Sequence, residues 1–197
     1  MNFKTKSYSL IVLVVFIFSS CTQSKKNISK TQNDKLIAQV DVKGEEEKKP
    51  LLSEIISVDV GFTTIYSMIK STEYLEMFSG DQSYTVFVPL NGAIEKLHPK
   101  TLESLKKPES VERLKSIMNC HIIPGLVSKQ DMVKAINEFG GSVKLKTLGG
   151  ERLTATIKDD RIYMIDKNGN AGRLMMNDIE ASNGIIHTIE SVMMPKK

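Results

Sequence analysis

The residues of this chain that could transfer protons or bind metals are few. Two histidines, His121 and His187, lie within apolar stretches, and Cys120 directly precedes the first of them. An imidazole could ligate a metal or act as a general base, and Cys120, His121 and Asp178 together supply the groups of a nucleophilic site. Neither histidine has carboxylates or cysteines at a spacing typical of zinc sites. We therefore predict no metal site and no cofactor.

The stretch from Cys120 to Ile123 has the composition of a β-strand and ends at Pro124. Adjacent strand residues point to opposite faces, so Cys120 and His121 are not expected to share a proton. Buried imidazoles need hydrogen-bond partners, so we expect His121 and His187 to bond to backbone or side-chain groups and to fix strand register. Cys120 is expected to be a small buried hydrophobe. No catalytic residue is predicted.

The N-terminus has the three-part organisation of a secretory signal. Lys4 and Lys6 are followed by the apolar run Leu10–Phe18, whose nine residues are too few to span a bilayer as a helix. Phe18 is too bulky for ordinary signal cleavage before Cys21. The pattern instead resembles a bacterial lipoprotein signal. We predict that residues 1–20 are removed and that Cys21 carries the lipid, including palmitate.

Residues 21–50 are predicted to be the lipidated cysteine and a flexible tether. The stretch is rich in Gln, Ser, Lys, Asn and Glu and has too few apolar residues to form a core. A flexible chain of this length has an end-to-end distance of roughly 30 Å. The formal net charge of +4 falls to about +2 without Lys4 and Lys6. That charge is too small to indicate nucleic-acid binding.

Residues 51–195 are predicted to form one α+β domain, in which helices come first and a largely antiparallel sheet follows. Helical spacing begins at Leu52, and the run Tyr84–Val88 is the first strand. Among the smaller predictions, Asp59, Asn91 and Ser110 cap helices, residues 174–176 form a strand, and the methionines near the end of the chain fill gaps in the core.

Two polar segments are predicted to be turns. The segment Asp166–Asn170 has the first residues of a calcium loop, but the sixth and twelfth positions are wrong for an EF-hand, so a hairpin turn is predicted. Asn183 and Gly184 are predicted to be structural. Asparagine bonds to nearby backbone, and glycine adopts positive φ, which would let the chain turn into its last strand.

Three segments, in order, resemble the fasciclin domain. They are Tyr84–Leu97 (YTVFVPLNGAIEKL), Asn119–Gly125 (NCHIIPG) and Asn177–Pro195 (NDIEASNGIIHTIESVMMP). In the second segment His121 matches the family pattern, and Cys120 stands where tyrosine is usual. The resemblance covers about residues 51–195 and implies a β-rich wedge with helices packed along it.

The resemblance also implies adhesion or ligand binding rather than a reaction. Asp178 and Ile179 match, by position, an Asp-Ile pair that animal members use to bind integrins. We consider two interpretations of this pair: ordinary packing at the edge of a sheet, or an exposed apolar side chain beside a charge that contacts a partner. His121, Asn183, Gly184 and His187 are assigned to the structural motif.

The leading hypothesis from the sequence is an extracytoplasmic module of a bacterial cell envelope, anchored by its lipid. Its partners would be the membrane and a protein or polysaccharide of the envelope or of a neighbouring cell. One alternative is a hydrolase or polysaccharide-modifying enzyme of the envelope, which needs a nucleophile or paired carboxylates in a cleft. Another is a structural accessory subunit of a larger envelope complex.

Overall fold

The computed structural model describes residues 48–70 and 72–196. Within these ranges the α-helices are α1 Leu52–Val58, α2 Thr63–Ile69, α3 Glu73–Met77, α4 Asn91–Glu95, α5 Pro99–Leu105, α6 Val111–His121 and α7 Lys129–Glu138. The strands are β1 Tyr84–Pro89, β2 Ile122–Pro124, β3 Ser142–Lys146, β4 Arg152–Lys158, β5 Arg161–Ile165, β6 Ala171–Arg173, β7 Ile179–Ala181 and β8 Gly184–Ile189. The predicted α+β class is confirmed. The predicted signal sequence, Cys21 and nearly all of the predicted tether lie outside the described residues.

The strands form two four-stranded sheets rather than one. The first has the order β2-β1-β8-β7 and the second the order β3-β4-β5-β6. All pairings are antiparallel except that of β1 with β8, which runs from Tyr84 opposite Gly184 to Pro89 opposite Ile189. This parallel pair, which the sequence did not reveal, lies at the centre of the first sheet.

The two sheets are joined where the segment after β6 passes β8. Leu174 forms an isolated bridge with Ile189, and the Met175 amide donates to the Thr188 carbonyl at 2.8 Å. The predicted strand over residues 174–176 is therefore misplaced, because β6 ends at Arg173 and the following residues pair with the other sheet. At the opposite side the Leu148 amide donates to the Ile122 carbonyl at 2.7 Å. These connections produce a wedge of strands.

Two apolar clusters fill the interior. The first lies between the N-terminal helices and the first sheet and contains Leu52, Phe62 and Phe78, each fully buried. The second contains Phe87 of β1, Met132 of α7 and residues of the second sheet. Burial of large side chains of this kind supplies about 1.5–3 kcal/mol each, so these clusters are the main source of stability.

Asp59 caps the 3-10 turn Val60–Phe62, since its Oδ1 accepts from the Gly61 amide at 2.7 Å. The prediction that Asn91 caps its own helix is wrong. Asn91 is the first residue of α4, and its Oδ1 accepts from the Thr64 amide of α2 at 3.0 Å. The carboxamide therefore accepts a hydrogen bond from one of the free backbone N–H groups at the start of α2, 27 residues away in the sequence.

Ser110 also fails as a cap. Its side chain makes no capping bond to α6, and its hydroxyl lies 3.2 Å from the Ser104 hydroxyl instead. The methionine prediction holds for Met193, which is fully buried, but not for Met175 and Met176, which are 42% and 49% exposed. Those two lie on the segment between the sheets, where one side faces solvent.

No single helix in residues 48–70 and 72–196 is both long and apolar enough to cross a membrane. The segments Leu52–Val58 and Val60–Ile69 reach the length and hydropathy of a span only as a pair, and they are bent by 86°.

Candidate functional site

Cys120 and His121 lie at the end of helix α6, and not in a strand as predicted. Strand β2 begins one residue later, at Ile122. The apolar run that ends in Ile122 and Ile123 is typical of a strand, which is why a strand was predicted. In the structure, the helix whose buried face contains Leu114, Ile117 and Met118 continues through the first two residues of this run.

The side chains of Cys120 and His121 have different hydrogen-bond partners. The Cys120 thiol lies 3.5 Å from Glu151 Oε2 and packs in the second apolar cluster. Burial raises the pKa of this thiol to about 12, and the Glu151 carboxylate adds to the effect. Thiolate is the reactive form of cysteine, so Cys120 is not activated as a nucleophile. Asp178, the third member of the hypothetical set, contacts His187 rather than His121.

The His121 ring bonds backbone groups through both nitrogens. Nδ1 lies 2.7 Å from the Ile117 carbonyl and must donate, while Nε2 accepts from the Met193 amide at 3.0 Å. The side chain is 1% exposed. Burial lowers the pKa of His121 to about 4, although Asp166 and the carbonyl oppose the shift. The imidazole is therefore neutral at ordinary pH and ties the end of α6 to the last segment of the chain.

His187 also bonds backbone groups through both ring nitrogens, but here Nε2 is the donor and Nδ1 is the acceptor. Nε2 lies 2.8 Å from the Val127 carbonyl and donates to it, and Nδ1 accepts from the Asp178 amide at 3.2 Å. The ring stacks on Phe87 with a centroid distance of 5.3 Å. Burial lowers the pKa of His187. The residue joins β8 to the segment before α7 and to the start of β7.

Asp178 and Ile179 are both half-buried. Asp178 has a positive φ of 54°, and its Oδ1 accepts from the Lys129 amide at the first position of α7, at 2.8 Å. Ile179 packs against the first apolar cluster. These contacts favour the interpretation that the pair is part of the sheet packing. A role for Asp178 and Ile179 in contacting a partner stays a prediction.

Asn183 holds two helix ends together. Its Oδ1 accepts from the Leu52 amide at 2.9 Å, and its Nδ2 donates to the carbonyls of Phe78 and Gly80, both at 2.8 Å. The first bond supplies the N-terminus of α1 with an acceptor. The sequence indicated a structural asparagine but not that its partners lie more than 100 residues away.

Gly184 is needed for a reason other than the predicted one. Its φ is not in the positive range. A Cβ at this position would lie 2.4 Å from the Tyr84 carbonyl oxygen and 2.5 Å from Leu52 Cδ1. The close approach of β1 and α1 therefore excludes any side chain.

The segment Asp166–Asn170 forms the turn between β5 and β6, as predicted. The Asp166 carboxylate is 6% exposed and accepts from four N–H groups. The donors are the Asn168 amide at 2.9 Å, the Asn170 amide at 2.9 Å, Asn170 Nδ2 at 2.8 Å and the Met194 amide at 2.9 Å. The carboxylate oxygens are thus used in organising the turn. This network was not predicted, although the spacing of Asp166, Asn168 and Asn170 is a sequence signal for it.

No group of three or more metal-ligating side chains occurs in the part of the chain that the structure describes. A cavity of about 260 Å³ lies next to Asp178 and is lined by residues that include Lys129, Arg161 and Arg173. Arg173 is already paired, because its Nη2 lies 3.2 Å from Glu190 Oε2. The cavity is also smaller than most small-ligand sites.

Comparison with known proteins agrees with the fold. A sequence model described as "Fasciclin domain" matches residues 60–195. The chain is 30% identical to Protein sll1483 of Synechocystis over 142 residues, which cover 72% of each chain. It is 31% identical over 112 residues to Immunogenic protein MPB70 of Mycobacterium bovis, covering 57% of this chain and 50% of that protein.

Longer relatives match over only part of their length. Transforming growth factor-beta-induced protein ig-h3 of Sus scrofa is 28% identical over 145 residues, which cover 73% of this chain but 19% of that protein. Among solved structures, a FAS1 domain pair from the insect cell adhesion molecule Fasciclin I matches with a TM-score of 0.67 and 22% identity. The match covers 75% of this chain and 52% of that one. Helix α1 precedes the matched family segment, yet its Leu52 and Ile56 are fully packed into the first apolar cluster.

Proposed function

The chain belongs to the fasciclin domain family, and on that premise we propose that it is an extracytoplasmic adhesion or ligand-binding module without catalytic activity. We further propose that lipid on Cys21 anchors it to a membrane of a bacterial cell envelope. Its partners would be a protein or polysaccharide of that envelope or of a neighbouring cell.

One observation carries the proposal of binding without catalysis. The two buried histidines, the residues best suited to acid–base chemistry, bond backbone groups through both ring nitrogens. An imidazole held in this way has no free nitrogen to accept a proton from a substrate. The interior therefore serves packing, and recognition falls to the exterior.

The relatives support the same class of function. Fasciclin family members are typically adhesion or ligand-binding modules, and the structural match comes from a protein described as a cell adhesion molecule. The match covers less than a fifth of the ig-h3 protein, so the activities of that whole protein are not assigned to this chain.

A binding experiment with the full chain in mild detergent tests this function. We expect retention of envelope polysaccharide or protein, measured on a glycan array and by pull-down from envelope fractions. We also expect no turnover of glycosidase, esterase or peptidase substrates. Heat-denatured protein is the control for non-specific adsorption. Substrate turnover that disappears in a folded His121→Gln variant would instead establish an envelope enzyme.

The anchor proposal rests on the apolar run, Phe18 and the cysteine that follows two serines. Covalent lipid contributes about 0.8 kcal/mol per buried methylene, so more than one acyl chain holds a protein stably on a membrane. We expect Cys21→Ala to abolish incorporation of labelled palmitate, and globomycin to cause accumulation of the unprocessed chain. Cys120→Ala is the matched control, because Cys120 is buried and should not affect labelling. Continued labelling of the Cys21→Ala protein would refute the anchor.

A further inference from the structure

A cleft of about 630 Å³ opens between helices α5 and α6 and the last described residues of the chain. Its apolar surface comes from Leu97, Ile117 and Met194. Arg113 and Ile117 lie one turn apart on α6, and both line the cleft. This volume falls within the usual range of small-ligand sites, unlike the cavity beside Asp178.

One wall of the cleft is held in place by buried polar groups. Asp166 Oδ2 accepts from the Met194 amide at 2.9 Å, and the amide of the preceding residue donates to His121 Nε2 at 3.0 Å. Asn168 Nδ2 donates to the Pro195 carbonyl at 2.9 Å. The wall is therefore fixed before any ligand enters, which lowers the entropy lost on binding.

The charged groups that line the cleft are cationic. Arg113 and Lys196 face it, and no aspartate or glutamate is among the lining residues. Within the described ranges neither cation forms a salt bridge. The nearby carboxylates of Asp166 and Glu151 accept backbone N–H groups of the wall, including that of Lys196 at 3.0 Å. Two unpaired cations in a concave site favour an anionic ligand.

Neutral polar groups complete the lining. Thr101 supplies a hydroxyl, and Asn168 and Asn170 supply their Oδ1 oxygens as acceptors, since their Nδ2 groups already donate to the wall and to Asp166. His98 also lines the cleft, and its Nδ1 accepts from the Lys100 amide at 3.3 Å. Such groups bond to ligand hydroxyls, while the apolar surface can pack against C–H groups.

We propose that this cleft binds a carboxylated sugar of an anionic polysaccharide. Arg113 and Lys196 would contact the carboxylate, the neutral groups the hydroxyls, and the half-buried Leu97 and Met194 one face of the ring. A bare phosphate would leave the apolar surface without a contact. The inference rests on the proposed binding function and names the ligand class for it.

Calorimetric titration of the full chain in mild detergent at low salt tests the proposal. We expect trigalacturonate to bind, and its methyl ester, which lacks the charge, to bind at least about tenfold more weakly. Arg113→Gln combined with Lys196→Gln should weaken trigalacturonate by a similar factor. Lys106→Gln is the matched control, since Lys106 is exposed and does not line the cleft. Backbone NMR signals of Thr101 and Met194 should shift on binding.

Several results would overturn the proposal. They are no binding of trigalacturonate, equal binding of its methyl ester, or an unchanged affinity in the double variant. If an acidic peptide or inorganic phosphate binds more tightly than trigalacturonate, the proposed ligand class is wrong and that ligand is the better candidate for the cleft. If wild type and the double variant retain envelope material equally but trigalacturonate does not bind, the proposed cleft ligand is wrong while the proposed binding function remains supported. If wild type retains none, the proposed function itself falls.

Discussion

Gly184→Ala is expected to destabilise the domain by about 3 kcal/mol or more, a large fraction of the roughly 5–15 kcal/mol by which ordinary domains are stable. The added Cβ would lie 2.4 Å from the Tyr84 carbonyl oxygen and 2.5 Å from Leu52 Cδ1. Neither neighbour has room to withdraw. Tyr84 lies opposite Gly184 in the central parallel pair, and Leu52 is fully buried with its amide bonded to Asn183.

The free energy of unfolding in urea, followed by far-UV circular dichroism, measures this effect. Gly92→Ala is the matched control, because a Cβ there meets nothing within 4 Å and the residue lies in helix α4. Alanine is the better helix former, so this control should be neutral or stabilising by up to about 1 kcal/mol. A Gly184→Ala protein as stable as wild type would show that β1 and α1 are not packed as described.

Acidification from about pH 7 to pH 5 is expected to weaken the domain through His121, with a smaller contribution from His187. Burial lowers the pKa of both residues in the folded state, to about 4 for His121. Below the unfolded value of about 6.5, the unfolded chain binds a proton that the folded chain does not. Stability therefore falls as the pH falls, by about 1.4 kcal/mol per unit for one such group.

Because of His121, the free energy of unfolding falls by about 2 kcal/mol between neutral pH and pH 5. The decrease reaches about 3 kcal/mol at a pH equal to the pKa of His121 in the folded state, which is about 4. The sign follows from geometry as well, since a protonated ring would place an N–H against the Met193 amide. Carboxylates such as Glu73, whose pKa is lowered by its backbone hydrogen bond and by Lys115, titrate mainly at lower pH. The range between about pH 7 and pH 5 therefore isolates the histidines.

Urea midpoints at a series of pH values in this range test the prediction. His121→Gln should reduce the slope of stability against pH, whatever its effect on stability at neutral pH. The Gly92→Ala protein, which changes no titratable group, should keep the slope of wild type. Equal slopes for wild type and His121→Gln would contradict a buried neutral imidazole.

Local patterns were sufficient to predict most of the elements. The alternation in residues 143–157, the turn at Asp166–Asn170 and the spacing in α1 and α2 correspond to elements of the structure. The three family-like segments indicated the wedge, and the fold comparison confirms it. These features depend on neighbours in the sequence, which is the information that periodicity and turn chemistry carry.

The errors concern contacts between distant segments. Asn91 has the side chain of a helix cap, but nothing in the sequence shows that the N-terminus of α2 lies within its reach. Gly184 is a glycine because of Tyr84 and Leu52, neither of which is near it in the chain. The same limit applies to the cleft, since Arg113 and Lys196 are 83 positions apart in the sequence. Contacts between segments that are distant in the sequence determine the roles of these residues, and such contacts cannot be inferred from the local pattern of a single sequence.

The pairing of β1 with β8 also constrains how the polypeptide reaches its native state. Position 84 meets position 184, so the middle of the first sheet requires closure of a loop of about one hundred residues. During synthesis this contact must wait until β8, about one hundred residues after β1, has left the ribosome. Such topology slows folding and leaves β1 exposed in early intermediates. The central strand β1 of the first sheet therefore lacks its parallel partner until β8 has been synthesised.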